Sequence, residues 1–119
     1  MNYTERVDGF QITDPTYIGL PPKDTTPTFD IVKWVQTEPH EVAAFEKDKS
    51  GKWISRNKIS TEYCFVVATL VWDAHETEFR LNSVLLRWLE ERPTEAVIQM
   101  VLDFAEKKGK EIYESEELR

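Results

Sequence analysis

The side chains able to do chemistry in this chain are few and scattered. His40 and His75 are its only histidines and Cys64 its only cysteine. His75 lies in Asp73-Ala-His-Glu-Thr-Glu78, a run of metal-ligand types. A zinc centre needs three or four converging ligands at a recognisable spacing, and no second His or Cys stands near. The segment therefore reads as a polar turn, and no metal is expected. His40 follows Pro39 in a segment read as a loop and has no marked partner. A serine nucleophile needs a histidine base within reach, and nothing like Gly-x-Ser-x-Gly occurs. Four widely separated glycines give neither Gly-x-Gly-x-x-Gly nor a phosphate loop. Paired acids such as Glu90-Glu91 and Glu116-Glu117 read as solvated helix surface rather than as acid/base pairs. The expectation is a chain without cofactor that is not an enzyme.

Three features suit binding instead. The first is residues 47–58, where five bases accompany one acid. Lys47, Lys49, Lys52, Arg56 and Lys58 could meet phosphates while Trp53 stacks on a base. The plainer alternative is a solvated hairpin whose lysines guard a sheet edge, with Trp53 buried. The second is the set of four tryptophans. Trp72 and Trp88 suit a core, while Trp34 or Trp53 could anchor a partner. The third is the acidic C-terminal half, residues 62–119, with a net charge of −6. Its carboxylates Glu90, Glu91, Glu95, Asp103 and Glu106 could face a basic protein, or they could form an ordinary soluble surface.

These groups must be positioned by one modest core. The chain has 119 residues, a 40% hydrophobic fraction, 31% charged residues and a formal net charge of −7. That balance fits a folded globular chain able to bury a core without disulfides or metal. Cys64 falls in the most apolar run, 63–72, and is expected as a buried thiol. With one cysteine, the chemistry is that of a reducing compartment. The N-terminus lacks the basic and apolar regions of a signal peptide, and no apolar stretch approaches the ~18 residues of a membrane span. Cytoplasmic localisation is expected, with no membrane partner.

Residues 1–28 read as an extended arm, because Pro15, Pro21, Pro22 and Pro27 remove donors and extend their predecessors. Phe10, Ile12, Tyr17, Ile18 and Leu20 are too apolar for a free linker. The arm is either a strap on its own core or a docking segment for a partner or second copy. Residues 29–119 form the α+β domain. The pattern predicts a strand over 29–35, ended by Pro39, then a hairpin pairing 41–47 with 52–56 through a turn at 48–51. Ala43 and Ala44 leave a helical reading of 39–46 open. A central strand over 62–72 should be buried on both faces. A return strand over 78–82 alternates cleanly, with Phe79 and Leu81 on one side.

The period then changes. Ser83 is placed to cap a helix over 84–91 with Leu85, Trp88 and Leu89 on one face. Pro93 ends it and can open the next helix. From Thr94 onward Val97, Ile98, Val101, Leu102, Phe104 and Ala105 make a broad apolar stripe. Asp103/Lys107 and Lys110/Glu114 stand at ion-pair spacing, and Gly109 weakens regularity. The predicted architecture is an antiparallel sheet of four or five strands followed by two helices, the longer packed on one sheet face.

In size, acidity and lack of catalytic motifs, the chain is similar in general style to small phage or mobile-element inhibitors and to bacterial immunity proteins. That likeness implies an inhibitor of a basic, nucleic-acid-handling protein, with Trp34, Tyr17 and Ile18 as apolar anchors beside the acidic face. The alternative is nucleic-acid contact by the basic hairpin. A homodimer through the arm or an exposed sheet edge is also open.

Overall fold

The computed structural model describes residues 5–13, 16–18, 26–82 and 85–117. Among the described residues, five strands precede two helices: β1 (Phe10–Ile12), β2 (Thr16–Ile18), β3 (Thr26–Lys47), β4 (Trp53–Asp73), β5 (Glu78–Asn82), α1 (Leu85–Glu90) and α2 (Glu95–Glu117). The sheet order is β1-β3-β4-β5, with β2 also paired to β3. The expected α+β architecture is present, and α2 packs against β5. The chain falls into two compact units, one comprising residues 1–33 and 65–119 and the other Trp34–Cys64.

Within the first unit, β1 and β2 run antiparallel to successive stretches of β3, Phe10 opposite Lys33 and Thr16 opposite Thr28. The N-terminal segment thus adds strands to its own sheet, entering β1 through a tight turn in which Val7 and Phe10 exchange backbone hydrogen bonds and Asp8 and Gly9 take positive φ. Phe10 and Ile12 are fully buried, as alternation across a half-covered sheet requires. The core is an aromatic chain. The Phe29 ring meets Phe104 of α2 edge-on at 4.7 Å and Phe79 of β5 at 5.8 Å. Phe79 in turn meets Trp72 at 5.2 Å, and Phe10 meets Trp88 of α1 at 5.6 Å. Each pair adds about 0.5–1.5 kcal/mol beyond its area burial. Val97, Val101 and Phe104 supply the buried stripe of α2.

Thr94 caps α2. Its hydroxyl oxygen accepts from Val97 N, its carbonyl accepts from Ile98 N, and the hydroxyl donates to Asp8 at 2.6 Å. The capping role falls to Thr94, one residue after Pro93, because a hydroxyl can accept the orphan N–H of the first turn. Ser83, the predicted cap of α1, lies outside the described residues. Gly109 does not interrupt α2, which stays helical to Glu117. An added Cβ there would meet the Trp72 ring at 3.4 Å, an ordinary contact distance, so the position sits against β4 without requiring a glycine.

Three sequence expectations need correction here. Pro39 does not end β3, which runs through it, and 39–46 is strand rather than helix. Beyond Lys33, no described strand pairs with the outer side of β3. A proline lacking N–H is tolerated on such an edge. Likewise, 52–56 and 62–72 are parts of one strand, β4. Finally, α1 buries Trp88 but leaves Leu89 60% exposed.

The second unit is a two-stranded ribbon. Its turn matches expectation: Gly51 has φ of 86°, and its N–H donates to Asp48 O at 3.0 Å while Asp48 N donates to Lys52 O. This is a type I turn closed by a glycine bulge. Asp48 Oδ1 accepts from Ser50 N, Ser50 Oγ and Lys52 N. Those bonds, led by that from the Ser50 side chain, hold the Asp48 carboxyl below its ordinary range.

Candidate functional site

The polar turn between β4 and β5 is a structural device. Asp73 Oδ1 accepts from His75 N at 2.9 Å and Glu76 N at 3.1 Å. The Glu76 N–H is the main cause of the lowered Asp73 pKa, and the Arg80 charge adds to it. Arg80 bridges Glu78 at 3.1 Å and Asp73 at 3.3 Å. Its own pKa is raised, chiefly by the hydrogen bond to Glu78. His75 takes part through its backbone. Among the described residues, no three His, Cys, Asp or Glu side chains gather as metal ligands. His40 Nδ1 lies 3.0 Å from Glu38 O on the ribbon.

Cys64 is exposed, against the expectation of a buried thiol. The apolar run crosses from one unit to the other: Val67, Ala68, Leu70 and Trp72 enter the core, whereas Tyr63 is 48% exposed. A two-stranded ribbon has no second layer in which to bury a face, so apolar sequence there does not imply burial.

Glu90 ends α1, Glu91 follows it, and Glu95, Asp103 and Glu106 lie on α2. Glu90, Glu95, Asp103 and Glu106 are exposed, and Glu91 is half-buried. At 100° per residue, Glu95, Asp103 and Glu106 fall within an arc of about 80° on α2. Lys107 and Lys110 lie in or beside that arc, and Asp103 accepts from Gln99 at 2.7 Å. The acidic face is therefore mixed rather than uniformly negative.

Sequence reasoning missed what lies between these acids. Ile98 and Leu102, assigned to the core stripe, are 41% and 57% exposed, and Tyr113 is 49% exposed. Glu95, Ile98, Leu102, Glu106 and Tyr113 recur at three-, four- and seven-residue steps, so they share one helix side. Val97, Val101 and Phe104 occupy the neighbouring buried side. The broad stripe is really two, one buried and one open. Its excess width over a single ~100° face was the available signal. The open side borders a groove of about 530 Å³ lined by Phe79, Leu102, Ala105, Gly109 and Tyr113. On α1, Leu86 is 76% exposed alongside Leu89.

The proposed anchors belong to other elements. Trp34 is half-buried on the ribbon, and Tyr17 and Ile18 sit in β2 with side chains outside the described residues. The basic residues do gather near the ribbon turn. Trp53 is 64% exposed, with the Lys47 ammonium 5.3 Å from its ring centre. Arg56 and Lys58 both approach Glu46, at 2.9 Å and 3.8 Å. No described helix is long and apolar enough to cross a membrane. Comparison with protein-family models, curated proteins and solved structures finds no match.

Proposed function

We propose that this chain is a non-catalytic protein-binding protein, a small acidic inhibitor of a basic, nucleic-acid-handling protein, docking through the open side of α2. The observation that carries this reading is Ile98 and Leu102 standing exposed between Glu95 and Glu106. Protein interfaces pair an apolar centre with a polar rim. The acids add steering toward a positive partner, which favours association rate and specificity more than raw affinity. With a net charge of −7, the chain also repels nucleic acid at long range and competes with it for the same basic surface. An exposed thiol at Cys64 suits the reducing cytoplasm.

A second reading, nucleic-acid contact by Lys47, Lys49, Lys52, Trp53, Arg56 and Lys58, is favoured by the exposure of Trp53. It ranks lower. Lys47 occupies one face of the indole and Glu46 engages two of the five bases, which leaves a poor stacking platform.

The experiment is capture from native-source lysate with nuclease added, comparing the tagged wild-type chain with Ile98→Ser/Leu102→Ser. A basic protein retained by the wild type and lost by the variant is the expected result. Equal capture by both chains refutes the helix surface. Recovery only without nuclease, abolished by Lys49→Glu/Lys52→Glu, transfers the function to the hairpin.

A further inference from the structure

The ribbon Trp34–Cys64 carries a second open surface that the helix reading does not use. Alternation along a strand puts Glu41, Ala43, Phe45 and Lys47 on one face of β3, and Trp53, Ser55, Asn57 and Ile59 on one face of β4. The Lys47 contact with the Trp53 ring shows these to be the same face. Every one of these eight residues is exposed, with Phe45 at 71%, Trp53 at 64% and Ile59 at 66%. Three large apolar side chains on one bare face are more than a soluble ribbon needs.

The order of side chains on β3 suggests what covers it. Read forward, the face presents acid, small, large, base: Glu41, Ala43, Phe45, Lys47. Read backward, it presents base, large, small, acid. A second copy laid antiparallel across a two-fold axis near Ala44 sets Glu41 against the partner's Lys47 and Phe45 over the partner's Ala43. Both contacts occur twice, as an isologous interface demands. Nucleic acid would instead meet a carboxylate on this face.

We infer that the face formed by Glu41, Ala43, Phe45, Lys47, Trp53 and Ile59 docks on the same face of a second copy of this chain. The inference is independent of the α2 reading, since the two surfaces share no residue. The face is about 24 Å long and about 10 Å wide by strand geometry, well short of the ~800 Å² per partner of a standard interface. Association is therefore expected to be weak, with a dissociation constant on the order of 0.1 mM, and visible as a concentration-dependent monomer–dimer equilibrium.

The test is sedimentation equilibrium of the full chain up to about 0.5 mM, a concentration chosen to exceed that weak range. Wild type is expected to dimerise, and Phe45→Ser to weaken association by at least about tenfold. Lys47→Glu turns two attractive pairs repulsive, with an expected loss of roughly tenfold, and Glu41→Lys/Lys47→Glu restores it. Wild type that stays monomeric overturns the inference. So does dimerisation unaffected by Phe45→Ser, or a double charge swap no stronger than Lys47→Glu alone. Far-UV circular dichroism of each variant confirms that any loss is not unfolding. If instead this face binds a single-stranded oligonucleotide that shields Trp53 from quenching, the inference also fails. A dimer that still captures a basic protein through α2, or fails to, reports on the two surfaces separately.

Discussion

Two residues of α2, Leu102 and Phe104, stand two positions apart with opposite surroundings, and replacing each with alanine separates fold from function. Phe104 is fully buried with its ring against Phe29. Truncation to Ala removes that contact and leaves a cavity, at a cost of about 3–5 kcal/mol. Leu102 is 57% exposed. Removing its three terminal carbons at about 0.8 kcal/mol each would cost about 2.4 kcal/mol from a closed core. With less than half the side chain covered and solvent free to fill the space, the cost drops to about 1 kcal/mol. The higher helix propensity of Ala changes that figure little. Urea unfolding followed by circular dichroism resolves the difference. With a slope of roughly 1–1.5 kcal/mol/M, Phe104→Ala lowers the midpoint by about 2–5 M and Leu102→Ala by no more than about 1 M. Leu102→Ala as costly as Phe104→Ala would refute the reasoning, because Leu102 would then be holding the fold together.

Two further outcomes follow from local geometry. Gly109→Ala should raise stability by up to about 1 kcal/mol through helix propensity, since the new methyl meets the Trp72 ring at 3.4 Å, at the near limit of ordinary contact. Thermal unfolding checks this, and a clear fall in midpoint would show that the ring does not give way. Asp48 and Asp73 both have lowered pKa values, Asp48 mainly from the Ser50 side chain and Asp73 mainly from the Glu76 N–H. A depressed carboxyl contributes stability above its unfolded value and loses it as pH falls through the folded one. Both turns should therefore hold from neutral pH down to about 3.8, the ordinary value, and loosen below it. Amide exchange of Ser50, Lys52, His75 and Glu76, corrected for its intrinsic pH dependence, reads this, and protection unchanged through that range would contradict it.

Much of the fold was legible because local and global signals agreed. The glycine at 51 needed positive φ, the alternation at 78–82 needed a half-buried strand, and the period change after 83 needed helices. Strand continuity was not legible, since Pro39 breaks a paired strand but not an unpaired edge, and edges are defined by partners distant in sequence. Burial along 62–72 misled for a related reason: the apolar run crosses from a ribbon into a layered core, and hydrophobicity alone does not mark that boundary. On α2, composition identified the acids, whereas exposure showed that Ile98 and Leu102 stand among them. The basic cluster was read correctly as a hairpin. Its apolar companions Phe45 and Ile59 become legible only when strand alternation is carried across the turn.

The open side of α2 is proposed to dock a positively charged protein. The most direct test is the salt dependence of affinity for the captured partner, measured for wild type and for Glu95→Gln/Asp103→Asn/Glu106→Gln. Wild-type binding is expected to weaken steeply as salt rises, while the neutralised variant binds more weakly at low salt and responds less. Identical affinities and identical salt responses for the two chains would contradict it.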